Sequence, residues 1–173
     1  MRFLAVILLA LTGCAPPDTW QPLPFQRSAP DDTPASSLRA LVRMSDVDAS
    51  RHFVRDIDST LQSGAWRWTG KRPELKLFLE SVENLKAVVE YAVAGDTFRA
   101  TGPVNVTLYV NGKRLAGRRC EADGRYQFQE AVAQGLLRAK AENTIAIEVD
   151  KIWTSPVDGA KMGLILLSAG FTK

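Results

Sequence analysis

Along most of the chain, apolar residues recur in short runs, several of which alternate strictly with polar residues. In 104–110, the three valines and the leucine occupy every second position, and two polar residues and a tyrosine occupy the positions between them. Period two is the pattern of a strand with one buried face, and the Asn111 and Gly112 that follow favour a tight hairpin turn. The pattern predicts eight strands, at 38–44, 65–69, 74–79, 86–93, 104–110, 125–128, 144–149 and 162–167.

Helical patterns are weak by comparison. They extend to one or two turns at 130–138 and to a short irregular piece at 46–58. A parallel sheet would need crossover helices, which this pattern lacks. Eight strands within about 135 residues, at turn spacings near ten, therefore predict an all-β fold, an antiparallel two-sheet β-sandwich of the jelly-roll type.

The N-terminus carries a targeting pattern. One basic residue precedes an apolar run at 3–11, which is too short to span a bilayer as a helix and has the length of a signal-peptide core. The run leads into Leu-Thr-Gly-Cys at 11–14, which resembles the lipobox of bacterial lipoproteins. The resemblance implies that residues 1–13 are a cleaved signal peptide and that Cys14 carries a palmitate-type lipid. The alternatives are an ordinary secretory signal and a buried apolar strand.

Lipidation of Cys14 would locate the protein at a membrane. Acyl chains at Cys14 would hold the chain at a membrane without a transmembrane helix. Ala15 follows the cysteine where inner-membrane lipoproteins usually carry aspartate, so the resemblance favours the outer membrane of a bacterial cell envelope. Residues 14–37 contain six of the nine prolines and predict an extended tether. The predicted domain is then 38–173.

The composition argues against several classes of partner and catalytic site. The 22 basic and 19 acidic residues leave a small, scattered positive excess, which does not predict a nucleic-acid partner. One histidine, His52, and two cysteines provide little material for a zinc site, a disulfide framework or a Ser-His-Asp triad. We therefore predict no catalysis and no cofactor. Cys120, the second cysteine, is expected to be buried as a small apolar residue.

Several segments together resemble bacterial galactose-binding-like and carbohydrate-binding-module-like jelly rolls, which occur in cell-envelope proteins. The resemblance covers most of the predicted domain and implies a β-sandwich that binds sugars, lipids or proteins. The segments that carry it are 52–54, 64–69, 102–104, 109–112, 143–145, 150–153, 158–159 and 164–171.

Two tryptophans at alternate positions offer one candidate site. Trp66 and Trp68 share a strand face and provide either a stacking platform for a sugar ring or core packing, of which we favour the core. Arg67 would then face solvent or the concave sheet. Its expected polar companions in ligand binding are Glu90, Tyr109 and Glu148.

A second candidate site is a loop at the end of a strand. Trp153 there stands beside Asp150 and Asp158, and an aromatic ring with carboxylates is a common composition of sugar sites. The alternative is purely structural, a loop held by hydrogen bonds from backbone amides to Asp158.

Two charged clusters complete the candidates. Lys113, Arg114, Arg118 and Arg119 would face anionic lipid or acidic polysaccharide, or else form a solvated edge strand, which we favour. Aspartates at 46, 48, 56 and 58 are dense enough to suggest calcium, but their spacing is not that of an EF-hand, and we predict no metal.

The sequence therefore predicts a membrane-anchored, non-catalytic envelope lipoprotein that presents a β-sandwich for binding, with a glycan as the leading ligand. The alternative is a structural or assembly subunit that docks on an envelope protein. A glycan site requires a groove with exposed aromatic and carboxylate or amide groups, whereas docking requires a broad apolar patch.

Overall fold

The computed structural model describes residues 38–173, which form an all-β domain with one short helix. The predicted fold class, an antiparallel β-sandwich, is confirmed. The strands are β1 (Leu41–Arg43), β2 (Phe53–Ile57), β3 (Arg67–Leu79), β4 (Lys86–Val93), β5 (Val104–Val110), β6 (Lys113–Cys120), β7 (Gly124–Ala131), β8 (Ala141–Val149), β9 (Trp153–Thr154), β10 (Lys161–Met162) and β11 (Ile165–Thr172). The helix α1 spans Gly95–Thr101, and 3-10 turns span Ala49–His52 and Gln134–Leu136.

The strands form two layers. The first has the order β1-β11-β4-β7, and the second has the order β2-β3-β8-β5-β6. The short strands β9 and β10 form a separate hairpin. Among the strands of 38–173, the basic strand β6 pairs with β5 alone and lies at an edge of its layer, the alternative that we favoured from the sequence.

The long strand β3 belongs to both layers. Its residues 67–68 pair with β11 in the first layer, whereas 74–79 pair with β8 in the second. Pro73, which is buried and cannot donate to a ladder, lies at the change of layer. There β3 leaves residues 70–73 without register partners in β2, because Arg55 pairs with Glu74 and Ile57 pairs with Thr69. The two strands predicted at 65–69 and 74–79 are thus one strand, because its bend hides the continuity from the period-two pattern.

Alternating apolar residues from both layers fill the space between them. Tyr91, fully buried, stacks on Tyr126 and Phe128 with ring centroids 5.8 and 5.6 Å away. Its hydroxyl lies 3.6 Å from the sulfur of Cys120, which is buried as predicted. Burial raises the pKa of both the Tyr91 phenol and the Cys120 thiol. Each large apolar side chain buried here contributes about 1.5–3 kcal/mol.

The two predicted helical segments are confirmed only in part. Segment 130–138 continues strand β7 to Ala131 and then contains the 3-10 turn at Gln134–Leu136. Segment 46–58 contains the 3-10 turn at Ala49–His52, but its second half is strand β2. Helix α1 was not predicted, since its seven residues are too few to display an apolar period.

The two ends of the sandwich are distinct. Strand β3 runs from Arg67 at one end, which we call the far end, to Leu79 at the other. The amide of Phe78 donates to the carbonyl oxygen of Arg39 at 3.3 Å, so the chain enters the domain at the Leu79 end, which we call the entry end.

The predicted signal peptide, Cys14 and the proline-rich tether fall in 1–37 and lie outside the described residues. Within 38–173, no helix has the length and hydropathy needed to cross a bilayer.

A buried histidine lies between the 3-10 turn at Ala49–His52 and β3. Nδ1 of His52 donates to the carbonyl oxygen of Lys76 at 2.9 Å, and Nε2 is buried without a hydrogen-bond partner among the described residues. Burial lowers the pKa of His52 below the ordinary histidine value, against opposing contributions from the Lys76 carbonyl and Asp48. The folded domain therefore holds this imidazole neutral.

We expect the free energy of unfolding to fall as the pH is lowered from 7.5 to 5.5. The unfolded chain protonates His52 near its ordinary pKa of about 6.5, whereas the folded chain resists protonation, so the stabilisation is complete above that pH and lost below it. One group changes stability by at most about 1.4 kcal/mol per pH unit. Urea unfolding at several pH values measures the slope, and His52→Asn should flatten it. Equal slopes in both proteins would contradict the assignment.

Candidate ligand-binding cleft

A cleft of about 260 Å³ opens at the far end of the sandwich. Three segments that are distant in sequence form it: the end of β2, the start of β3, and β10 with the residue before it. Its volume lies just below the range of about 300–1,000 Å³ typical of small-molecule pockets. The lining residues are Asp56, Ile57, Asp58, Trp68, Thr69, Gly70, Ala160, Lys161 and Met162.

Two carboxylates line the wall of the cleft that β2 provides. Asp56, which has a positive φ of 55°, accepts the backbone amide of Arg72 at 2.9 Å through Oδ2. Asp58 accepts the amide of Thr60 at 2.6 Å through Oδ1. The second oxygen of each carboxylate has no hydrogen-bond partner within 38–173, so both retain an acceptor for a ligand hydroxyl.

Strands β3 and β10 contribute an aromatic ring and a cation to the cleft. Trp68 is half-buried and meets Trp66 edge to face, with centroids 5.4 Å apart and planes at 88°. Lys161 is exposed and forms no ion pair with any described residue. The cleft thus combines an aromatic ring, two hydrogen-bond acceptors and one cationic donor.

Close backbone contacts hold the floor of the cleft in place. The amide of Gly163 donates to the carbonyl oxygen of Thr69 at 2.7 Å, and the amide of Thr69 donates to the carbonyl oxygen of Leu164 at 2.9 Å. The Thr69 hydroxyl donates to that same carbonyl at 3.0 Å and accepts from the Leu164 amide at 3.0 Å. The floor is therefore rigid, because Thr69 joins two layers through four hydrogen bonds of backbone and hydroxyl groups.

The predicted orientation of the tryptophan strand is reversed. The core prediction for Trp66 and Trp68 is wrong, because both are half-buried outside the core, whereas Arg67 is buried. The guanidinium of Arg67 donates to the carbonyl oxygens of Met44 at 3.3 Å and of Ser59. It therefore anchors the loop after β2 from inside and does not face solvent.

Tyr109 and Glu148 lie together on the outer face of the second layer. Both contact Arg72: its guanidinium carbon lies 4.4 Å above the Tyr109 ring, and it pairs with Glu148 at 3.2 Å. The charged partner of this pair is thus Arg72, and the predicted pairing with Arg67 is wrong. The three side chains lie outside the lining of the cleft.

Asp150 is held by a single asparagine. Its two carboxylate oxygens accept the backbone amide of Asn105 at 2.8 Å and the side-chain amide of Asn105 at 2.7 Å. Partial burial raises the pKa of Asp150, but these hydrogen bonds and the charge of Lys151 outweigh it, and the net shift is downward. Both oxygens of Asp150 are therefore already engaged.

Trp153 and Asp158 lie on the β9–β10 hairpin. Trp153 is half-buried opposite Met162, and Asp158 accepts the amide of Ala160 at 3.1 Å. A hydrogen bond with the Ser155 side chain lowers the pKa of Asp158. These contacts match the structural alternative for this loop, in which Asp158 holds the turn.

The aspartates considered for calcium divide into two pairs. Asp46 and Asp48 pair with Arg39, which lowers the pKa of Asp48, whereas Asp56 and Asp58 line the cleft. Within the part of the chain that the structure describes, no three acidic, histidine or cysteine side chains converge as a metal site.

Sequence reasoning named Asp56, Asp58 and Trp68 separately and missed Lys161 altogether. Their meeting depends on Ile57 pairing with Thr69 and on β10 packing against β3. A two-residue strand such as β10 has no periodicity of its own, so nothing in the local pattern marks Lys161.

The domain resembles proteins of known structure in its fold, but not in its sequence. No protein-family model and no curated protein sequence matches the chain. A family 35 carbohydrate-binding module from an environmental isolate superimposes with a TM-score of 0.50 at 15% identity, covering 77% of this chain and 92% of that one. The CBM35 from Cellvibrio japonicus Abf62 gives a TM-score of 0.45 at 10% identity, covering 77% and 93%. An acetyl xylan esterase from the rumen bacterium Butyrivibrio proteoclasticus gives 0.43 at 11% identity, covering 77% of this chain and 33% of that one. The domain therefore has a fold like that of a carbohydrate-binding module.

Proposed function

We propose that this protein is a non-catalytic, lipid-anchored lipoprotein of the bacterial cell envelope whose β-sandwich binds a glycan in the far-end cleft. The observation that carries the proposal is the composition of that cleft, in which Trp68 lies with two carboxylates that each retain a free acceptor. Sugars present an apolar ring face and many hydroxyl donors, which an aromatic ring and carboxylates complement. The fold, shared with a carbohydrate-binding module, is consistent with this use.

The cleft is suited to a short glycan segment. It is open at the far end, and its charged lining residues Asp56, Asp58 and Lys161 are all exposed. Its volume of about 260 Å³ is small for a pocket, which favours a terminal sugar over a long buried chain. No arrangement of the described residues supports a nucleophile with an activating base, and the proposal includes no reaction.

Docking on an envelope protein has no comparable support. The large apolar side chains that are exposed within 38–173 are Val47, Val54 and Val157, and they lie on three separate segments. A docking face requires a contiguous apolar patch of several hundred Å².

We expect Trp68→Ala to abolish glycan binding while the domain stays folded. The half-buried ring contributes about 1.5–3 kcal/mol of burial at most, but it is the only aromatic side chain in the described lining of the cleft. Lys161→Ala, which removes an exposed side chain, should weaken binding without a stability change. Glycan-array and polysaccharide pull-down assays measure retention, and circular dichroism checks folding.

Trp153→Ala and Asp158→Ala are the matched controls, since both residues lie on the adjacent hairpin outside the cleft lining. They should bind as the wild type does. The cleft is excluded as the site if Trp68→Ala and Lys161→Ala retain the glycan while Trp153→Ala loses it. A wild type that retains no glycan removes the function.

Anchoring is tested at the cysteine that the sequence marks for lipidation. Cys14→Ser should remain unprocessed and should take up no labelled palmitate, because the acyl chains attach through the Cys14 sulfur. Cys120→Ala is the control and should still be labelled, since Cys120 is buried inside the sandwich. An unlabelled wild type in the soluble fraction would show that the protein is not a lipoprotein.

A further inference from the structure

Four exposed cations lie in or directly beside two neighbouring connections, the β5–β6 turn and the β7–β8 connection, and neither connection contains an acidic residue. Lys113 and Arg114 follow the β5–β6 turn, and Arg138 and Lys140 lie in the β7–β8 connection. Within 38–173, none of the four is part of an ion pair. We call these four residues the basic end surface.

Buried amides hold the two connections together. Nδ2 of Asn111, in the β5–β6 turn, donates to the carbonyl oxygen of Leu136 at 2.6 Å and to Oδ1 of Asn143 at 2.9 Å. Asn143 in turn accepts the amide of Arg138 at 2.8 Å and donates to its carbonyl oxygen at 2.8 Å. The cations are therefore placed by a network that is itself buried or half-buried.

The basic end surface lies where the chain enters the domain. The amide of Lys140 donates to the carbonyl oxygen of Leu79 at 2.7 Å, and the neighbouring Phe78 donates to the carbonyl oxygen of Arg39. The first residues of the described chain and the β7–β8 connection thus contact adjacent residues of β3. Lys113 and Arg114 lie further along that strand, level with Leu75 and Glu74.

Other charges at this end reduce the positive excess without removing it. Lys86 and Lys173 add to the four cations, and the acidic side chains are Glu80, Glu83, Glu130 and Glu142. Arg39 also lies at this end and pairs with Asp46 and Asp48, so seven bases stand against six acids and the positive excess is one. The six acids lie outside the two connections. The far end has the carboxylates of the cleft instead.

We propose that the basic end surface docks on the anionic lipid headgroups of the membrane that holds the protein. The inference rests on the proposed lipid anchor, because a tethered domain meets that surface at high local concentration. It also implies that the cleft points away from the bilayer. The nine steps of β3 from Thr69 to Phe78, at about 3.3 Å each, place the cleft at most about 30 Å from the headgroups, since the strand bends between these residues.

The test uses the mature chain, 14–173, carrying Cys14→Ser, so that no acyl chain contributes to binding. Co-sedimentation with vesicles of phosphatidylcholine and phosphatidylglycerol is compared with pure phosphatidylcholine, at low and high salt. We expect binding only to the anionic vesicles and its loss at high salt, where charges are screened. Lys113→Gln with Arg114→Gln should weaken it about 30-fold, from about fivefold (about 1 kcal/mol) per cation.

The charge-matched control removes two exposed cations at the far end, Lys71→Gln with Arg125→Gln, and should bind almost as the parent protein does. Equal weakening in both variants would mean a general net-charge effect and would overturn the proposal. So would equal binding to neutral vesicles, or retention on an acidic polysaccharide without vesicle binding. Failure of palmitate labelling or of glycan binding is read in separate assays and is therefore distinguishable from failure here.

Discussion

A Gly163→Ala variant is expected to lose about 4 kcal/mol or more of its free energy of unfolding. A β-carbon at this position would overlap the carbonyl oxygen of Gly70 and would lie 3.1 Å from the Gly70 carbonyl carbon and 3.2 Å from Cγ1 of Val149. The Gly70 contact is with backbone, which cannot rotate away as a flexible side chain does. Relief would require separating β3 from the segment between β10 and β11, which breaks the hydrogen bonds of Thr69.

Thermal and urea unfolding followed by circular dichroism measure this loss. Gly135→Ala is the matched control, because its β-carbon would meet nothing within 4 Å and its φ is not in the positive range, so stability should change by less than about 0.5 kcal/mol. A Gly163→Ala protein as stable as Gly135→Ala would show that the two backbones are not in contact. Since Gly70 lines the cleft, this substitution should also abolish glycan binding.

The second large effect is expected for Asn143→Ala, with a loss of about 3 kcal/mol. Asn143 is fully buried, and its side chain donates to the carbonyl oxygens of Arg138 and Ala141 and accepts the Arg138 amide and the Asn111 side chain. Removing it leaves buried partners without hydrogen bonds, and each such group costs about 1–3 kcal/mol. Unfolding measurements check the loss.

Asn143→Asp separates hydrogen bonding from volume. It preserves an acceptor for Arg138 and Asn111 but loses both donors and introduces a buried charge, so it should be as destabilising as the alanine or worse. Asn105→Ala, at an exposed position, should cost about 1 kcal/mol at most. If Asn143→Ala changed stability no more than Asn105→Ala does, the network would not stabilise the entry end.

The glycine pair and the asparagine network act at opposite ends of the sandwich. Gly70 and Gly163 permit the close approach on which the cleft floor depends, and Asn143 joins the connections that carry the basic end surface. Binding at the far end and membrane contact at the entry end can therefore be weakened separately, which makes the two proposals independent in experiment.

Local sequence patterns predicted those features of the domain that depend on neighbouring residues, but not the surroundings of every candidate residue. The Asn111 and Gly112 turn, the alternation in β5 and the burial of Cys120 were predictable, because each depends on neighbours in sequence. The environment of Arg67 was not predictable. Its strand alternates correctly, but which face is buried depends on β11 and on the loop after β2, which pack on it from distant parts of the chain.

By itself, the sequence determined that this protein is an antiparallel β-sandwich, and it marked Asp56, Asp58 and Trp68 as candidate site residues. Only the tertiary structure decided which of them meet. Asp56, Asp58, Trp68 and Lys161 form one cleft because Ile57 pairs with Thr69 and β10 packs on β3, while Trp153 and Asp150 lie elsewhere. Such a register arises from packing between strands far apart in sequence, and a period-two pattern contains no information about which strand lies beside which.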